Sequence, residues 1–444
     1  MTMLSFASNT STVDKKPEDR AWSVFPRGSN GEFNLPYELT RVIEHGIGCE
    51  LWDVEGRHFL DFSMGWGSAL VGHARSEVVE AVASQIRKGS NFAYITAPSL
   101  QLAEEIVQVS PASDQIRFCA SGTEATMYCQ RLARAHTGRT KILKFEGAYH
   151  GANEIGVTSL FPDKLVNFPE PDPSSAGIAH SVMDHVLVAP FNDLDTTRRI
   201  IEEHAHELAA VIAEPLHRCL APVDGFLQGV RKLTEVHNIL LIFDEVVTGF
   251  RLAYGGAQEY YGVVPDLVAY GKALGGGYPI GAFGGKSEIM ELVGEDRLGS
   301  STYVWTASTL GGNPVSSCAS LAALSVFRQE GAYEKLHGLG VYLRTSMKRV
   351  LDNIGIAGQI IGDGPLAQVV FTESTDPVID YRSTKKGNTA ANRAMMLGLF
   401  ERGIFLNPMG TKLYLSLAHS ESTCDAFLDR FSDTLHVLRE NGTL

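Results

Sequence analysis

Three short segments carry residue types that can do chemistry together. The first is Ser121-Gly122-Thr123-Glu124-Ala125, where small residues and hydroxyls lead into a helical pattern. The first N–H groups of a helix lack intrahelical partners, and together with the helix dipole they favour an anion such as a phosphate. The same residues also suit a plain capped turn, because Ser and Thr accept hydrogen bonds at helix starts. The second segment is Asp244, which follows the apolar run Ile239 to Phe243. A carboxylate buried there is costly unless paired, so a cationic partner is expected; of the two adjacent acids, Glu245 is expected to be the exposed one. The third is Lys272, in Gly271-Lys272-Ala273-Leu274-Gly275-Gly276-Gly277. Desolvation lowers the pKa of a lysine, and its neutral amine attacks carbonyls.

The order of these parts matters more than any one of them. A phosphate cradle, an acid for a pyridine nitrogen and a lysine for an aldehyde are what pyridoxal 5'-phosphate requires. Tyr149, in Ala148-Tyr149-His150-Gly151, adds an aromatic face for the ring.

Elements that position these residues are legible around them. Gln115 to Cys119 reads as a strand running into Ser121, and Ala125 to His136 as a helix leaving it and stopping near Gly138. The apolar runs Ala209–Ala213, Ile239–Phe243 and Leu267–Tyr270 alternate with helical patterns such as Thr196–Glu207 and Gly229–Val236. Buried strands separated by helices indicate an α/β core with a mostly parallel sheet. Asp244 then lies at the carboxyl end of a strand, where such sheets place their ligands. The stretch Tyr37 to Phe62 alternates around Glu55-Gly56, a hairpin pattern. From about Val326, helices mix with short strands at Gln368–Phe371 and Lys412–Leu417. This layout gives a tail over 1–18, a large cofactor-binding domain over 76–325, and a smaller α+β domain made from 19–75 and 326–444.

Composition excludes several other classes. The chain has 444 residues, 44% hydrophobic and 20% charged, which suits a large packed core. Its net charge of −13 disfavours nucleic acid and anionic membrane as partners. No apolar run reaches the about 18 residues of a membrane-spanning helix. The short apolar stretch at the N-terminus precedes Lys15 and Lys16, the reverse of a signal peptide. Six scattered cysteines, Cys49, Cys119, Cys129, Cys219, Cys318 and Cys424, form no CxxC pair. Reduced thiols in a cytoplasmic protein with no metal site are expected.

The segments SGTEATMYCQRLARAHTGRTKILKFEGAYHG, IAEP, FDEVVTGFR, YYGVVPDLVAYGKALGGGYPIGAFGG and TASTLGGNP carry a more specific signal. Together they resemble the class III aminotransferases of fold type I, and within them the glutamate-1-semialdehyde aminomutase-like branch. The resemblance spans residues 20–435. It implies a large domain with a mainly parallel seven-stranded sheet, and a smaller α+β domain from both chain ends. It implies pyridoxal 5'-phosphate joined to Lys272, with Lys272 also shuttling the substrate proton and Asp244 holding the ring nitrogen protonated. Tyr149 would stack on the ring, Val247 would pack beneath it, and Ser121, Gly122 and Thr123 would serve the phosphate. Thr309 would reach the phosphate of a neighbouring subunit, which implies a homodimer with shared sites. Glu214 matches a carboxylate near the cofactor, although a structural ion pair would use the same residue type. Trp66, in MGWGSALVGH, matches an aromatic at the substrate mouth, with a core tryptophan as the rival reading.

The chain departs from that pattern where substrate is read. Aminomutases carry an arginine in a segment like PGGVNSPVR, and an ungapped comparison places Asn34 there. In the C-terminal loop Leu406–Lys412 their gating glutamate has no counterpart. Related β-amino acid aminotransferases carry an arginine in this loop, where Met409 stands. Trp66, Asn34 and Met409 are thus the expected substrate-facing residues. Without those charges, the substrates expected are a small-molecule amino donor and carbonyl acceptor less acidic than glutamate. Arg27, Arg218 and Lys412 are available as replacement cations, but as sequence features they read as surface residues. The reaction expected is two-step ping-pong amino transfer, with an intramolecular aminomutase as the alternative.

Other patterns fail on spacing. Gly285-Lys286-Ser287 ends like a P-loop, but Ile280 stands where its first glycine belongs. Gly65, Gly67 and Gly72 lack dinucleotide-binding spacing, and His204 and His206 lack the i, i+4 spacing of a zincin pair. Lys272→Ala is expected to abolish both turnover and the visible absorbance of lysine-linked cofactor; turnover that survives would assign the nucleophile elsewhere.

Overall fold

The computed structural model describes residues 15–31, 34–162, 164–406 and 411–444. The N-terminal strands are β1 (Ile43–Ile47), β2 (Glu50–Asp53) and β3 (His58–Asp61), paired antiparallel in sequence order. The β2–β3 hairpin turns at Gly56, whose φ of 80° is open to glycine at no steric cost. Its N–H returns to the Asp53 carbonyl at 2.9 Å.

The central sheet has seven strands: β4 (Gln115–Cys119), β5 (Lys141–Phe145), β6 (Val186–Ala189), β7 (Leu208–Ala213), β8 (Leu240–Glu245), β9 (Leu267–Tyr270) and β10 (Gly281–Gly285). Their order is β4-β10-β9-β8-β7-β5-β6. Only β10 is antiparallel to its neighbours, so the other six strands present their carboxyl ends at one edge. Strands β6, β7 and β9 are buried at every position, which is why they read as unbroken apolar runs. Ile142, Ile212 and Ile242 pack on one face with the helix Gly122–Thr137. Leu143, Val211 and Leu241 pack on the other with the helices Leu194–His204 and Phe226–Val236. The result is a three-layer α/β body.

The run that ends like a P-loop is strand β10. A Cβ at Gly281 would overlap the Ser121 carbonyl oxygen, and one at Gly284 would collide with Ser113. Gly281 lets β10 lie close against the cap of the helix Gly122–Thr137 and Gly284 lets it lie against the start of β4, so their role is packing.

Both chain ends share a second core. Leu60 and Phe62 are buried among residues of the helices Ala332–Ile354, Thr389–Glu401 and Glu421–Glu440. The C-terminal strands are β11 (Gln359–Ile361), β12 (Leu366–Val370), β13 (Ile404–Phe405) and β14 (Leu413–Tyr414). Strand β13 runs parallel to β3, pairing Ile404 with Leu60. The stretch 1–18 read as a tail is already helical by Pro17: the helix Pro17–Val24 has proline in its first turn, and Glu18 meets Arg57 at 3.3 Å. Residues 1–14 of that stretch lie outside the described residues. Among the described residues no helix is long and apolar enough to cross a membrane.

Candidate active site

The carboxyl ends of adjacent parallel strands assemble the site. Glu214 follows β7, Asp244 is the penultimate residue of β8, and Lys272 comes two residues after β9. Tyr149 and His150 lie in the segment after β5, and Gly122 and Thr123 follow β4. All except His150 line one cavity of about 380 Å³, together with Trp66, Arg218, Val246, Val247, Lys412 and Tyr414.

The phosphate-type turn is held firmly. Ser121 caps the helix Gly122–Thr137, its side chain accepting from the Glu124 N–H at 3.2 Å. Ser121 is thus spent on the cap, while Gly122 and Thr123 face the cavity. A Cβ at Gly122 would stand 2.7 Å from a Val246 methyl, so only glycine lets this turn lean on the end of β8.

Asp244 has the hydrogen-bond partner its burial demands, and the partner is His150. Asp244 is 5% exposed. Its Oδ2 lies 2.8 Å from His150 Nδ1, and its Oδ1 accepts from the Val246 N–H at 3.1 Å. No role for His150 is legible in its own sequence context beside Tyr149; a buried acid in need of a partner was the available signal. The reading of Glu245 as an exposed acid is corrected. Its side chain points away into the opposite layer, fully buried, and accepts from the N–H groups of Ala257 and Gln258 and from the Thr248 hydroxyl.

Lys272 takes φ 42°, a left-handed conformation that is strained for a non-glycine residue. Burial lowers the pKa of its amine, opposed by the charges of Asp244 and Glu214. Glu214 is no simple ion pair. Its two oxygens accept the backbone N–H groups of Tyr149 at 2.8 Å and Arg218 at 3.1 Å. Burial pushes this carboxyl up, but Arg218, His217 and Lys412 outweigh it and hold it at about 2.

Two fully buried cations brace the site from behind, and neither was singled out in the sequence. Lys144 in β5 donates to the carbonyls of Ala148, Ile155, Gly156 and Thr158, gathering the loop that carries Tyr149 and His150. Arg251 donates to the carbonyls of Val247, at 2.8 Å, and Gly67, and its guanidinium lies 5.4 Å from the Tyr414 ring centroid. It thereby links the turn that presents Val247 to the turn that presents Trp66. A charged residue inside an apolar or small-residue run was the only sequence signal for either.

Not every expected residue meets in this cavity. Thr309 is exposed in a separate surface depression beside Tyr94 and Ile95, its carbonyl accepting from Asn91 at 3.1 Å. Asn34 is exposed and outside the cavity lining; its carbonyl accepts from Arg393, and Gly31 is the N-terminal residue that lines the cavity. Met409 lies outside the described residues. The surface reading of two cations is also corrected: Lys412 is only 4% exposed, and both it and Arg218 line the cavity. Arg27 does lie away from it, against the Trp22 ring at 5.0 Å. Among the described residues no cluster of His, Cys, Asp and Glu is arranged to hold a metal.

A desolvated lysine, a fixed carboxylate and a helix start within one cavity fit pyridoxal 5'-phosphate. Asp244→Asn is expected to leave the fold intact and lower turnover by about a hundredfold or more, as loss of a fixed charge does in a dry site. His150→Phe strands one Asp244 oxygen and should cost about 1–3 kcal/mol of stability, read from denaturant unfolding. An unchanged rate in the first and an unchanged midpoint in the second would remove this pair from the site.

The similarity of the chain to known proteins agrees with this geometry. The family described as "Aminotransferase class-III" matches residues 35–435. Glutamate-1-semialdehyde 2,1-aminomutase from Desulfitobacterium hafniense is 37% identical over 426 residues, covering 94% of this chain and 97% of the relative. An omega-transaminase from Sphaerobacter thermophilus superposes with a TM-score of 0.88 at 35% identity, covering 95% of this chain and 97% of that one. A beta-phenylalanine aminotransferase from Variovorax paradoxus gives 0.83 at 28% identity, covering 96% and 93%. The carboxyl-edge cavity and these likenesses lead to one conclusion: the chain belongs to the class III aminotransferase family, whose cofactor is pyridoxal 5'-phosphate.

Proposed function

We propose that the protein is an aminotransferase that passes an amino group from a small-molecule donor to a separate carbonyl acceptor. The observation that carries this reading is the convergence of Lys272, Asp244, Tyr149 and the Gly122-Thr123 turn on one cavity. Pyridoxal 5'-phosphate, when bound, supplies an electron sink for the carbon that carries the amino group. Lys272 Nζ, kept basic enough to accept a proton and dry enough to lose one, moves that proton at the reacting carbon. Asp244, oriented by His150, would keep a proton at the ring nitrogen. Tyr149 and Val247 would hold the ring, and the first N–H groups of the helix Gly122–Thr137 would receive the phosphate. Trp66 closes the mouth against water.

The lack of an acid in the sequence of the C-terminal loop 406–412, where aminomutases carry their gating glutamate, supports two-substrate transfer over the intramolecular reaction. The relatives named glutamate-1-semialdehyde 2,1-aminomutase support the second reading, an isomerase that needs no separate acceptor. A half-reaction separates the two. Holoenzyme is mixed with propylamine or with L-glutamate, and the cofactor's absorbance is followed. Bleaching that reverses only on adding an oxo acid is the expected outcome. Catalytic isomerisation of glutamate 1-semialdehyde with no acceptor present would overturn the main reading in favour of the second.

We further propose a homodimer in which Thr309 serves the partner's site. Tyr94, Ile95 and Trp305 are 84%, 74% and 64% exposed near Thr309, an apolar surface of the kind that marks an interface. Sedimentation is expected to show two chains per particle; a fully active monomer would sink this assignment.

A further inference from the structure

The turn that carries Trp66 has the opposite hand to the helices around it. Met64, Gly65, Trp66 and Gly67 take φ of 48°, 57°, 58° and 81°, four consecutive residues in the left-handed region. Gly65 and Trp66 have ψ of 48° and 32°, so the segment is one turn of left-handed helix. It is bridged by the Gly67 N–H donating to the Ser63 carbonyl at 2.9 Å and the Ala69 N–H donating to the Met64 carbonyl at 3.0 Å. Glycine takes this conformation freely, but Met64 and Trp66 do so at a cost in free energy. Relaxation to the ordinary hand would carry the Trp66 ring away from the cavity that it lines. The turn must therefore be held by groups outside it.

Asp61, at the end of β3, holds the entry. Its side chain is 1% exposed, and Oδ1 accepts from the Ser63 N–H at 2.7 Å and the Met64 N–H at 2.9 Å. These are the residues by which the chain enters the turn, and both are buried, so losing the acceptor would strand two donors away from water. Oδ2 lies 2.7 Å from His73 Nε2. His73 is itself fixed through its backbone, donating to the Gly48 carbonyl at 2.7 Å and accepting from the Gly48 N–H at 2.9 Å. The Asp61 N–H donates to the Cys49 carbonyl at 2.8 Å, so the acid is clamped between β3 and the turn that joins β1 to β2.

The exit of the turn is held differently. The Gly67 carbonyl accepts from Arg251, and a Cβ at Gly67 would stand 2.7 Å from the Tyr414 ring. Asp61 and His73 lie outside the cavity lining, so whatever they contribute there passes through Trp66.

We propose that Asp61 is a positioning residue, which with His73 holds the left-handed turn that puts the Trp66 ring at the cavity mouth. A strained turn presenting a large ring needs support from neighbours whose own geometry is locked, and this pair has it.

The test is fluorine NMR of protein labelled with 5-fluorotryptophan, without and with pyridoxal 5'-phosphate. The four tryptophans give four signals, and Trp66→Phe identifies the one of interest. In the unaltered protein this signal should shift when the cofactor binds. In Asp61→Ala and His73→Asn it should be displaced before cofactor is added and lose that shift, while the signals of Trp22, Trp52 and Trp305 keep their places. Asp61→Asn retains an oxygen that accepts both N–H groups, and the His73→Gln amide reaches the place of Nε2, so both should match the unaltered protein. A Trp66 signal that keeps its place and its cofactor response in both disruptive variants overturns the proposal. So does displacement of all four signals in a folded variant, which would make the pair a determinant of the whole fold, and so does equal disturbance by the two conservative variants. If Asp61→Ala does not fold, His73→Asn, which leaves the carboxylate beside the turn, decides by the same criteria. The spectra need no turnover, so absent amino transfer would count against the proposed function and leave this result standing.

Discussion

Burying ionisable groups at the carboxyl edge of a dry sheet is the constraint around which this protein is organised. Glu214, Asp244 and Lys272 come from the ends of β7, β8 and β9, three parallel neighbours. Adjacent strands lie about 4.8 Å apart, so charges at successive strand ends interact strongly once water is excluded. Each group must therefore be matched in place. Asp244 has His150, Glu214 has two backbone N–H groups, and Lys272 has both acids nearby. The parallel arrangement is what makes such a cluster possible, because all these ends face one side.

The same constraint explains the two buried cations that never touch the cavity contents. Lys144 and Arg251 are satisfied by backbone carbonyls, and neither uses a carboxylate among the described residues. A charged donor to a carbonyl contributes about 1.5–3 kcal/mol, and leaving it idle inside costs more than that. Each cation therefore fixes the loop whose carbonyls it gathers. Lys144 sets the segment of Tyr149 and His150, and Arg251 joins the Val247 and Trp66 turns. A site that must hold a ring between side chains from different strands gains rigidity from these links.

The cavity wall is built from parts of the chain far apart in sequence. Trp66 comes from the N-terminal unit, Arg218 from the central sheet, and Lys412 and Tyr414 from the C-terminal strands. The core shared by Leu60, Phe62 and the C-terminal helices holds those ends together, so packing remote from the cofactor sets the shape of the mouth. Changes of specificity can arise there while the strand-end chemistry stays constant, since the two are carried by different layers.

The sequence by itself determined the cofactor and the sheet. Unbroken apolar runs marked β7, β8 and β9 because these strands are buried on both faces, and local composition records that. The helix start at Ser121 and its stop at Gly138, where φ is 69°, were visible because caps are local. Lys272 and Asp244 stood out because a charge inside an apolar or glycine-rich run is costly without a purpose. Pairing was not legible. That Asp244 meets His150, that Glu245 turns into the opposite layer, and that Asn34 misses the cavity while Gly31 reaches it all depend on strand register and on which face a side chain takes. Only the tertiary structure decided that Arg218 and Lys412, ordinary surface charges by composition and 194 residues apart in sequence, both line the cavity. The physical reason is that burial of a charge is a property of everything packed around it, and its neighbours along the chain report only a small part of that.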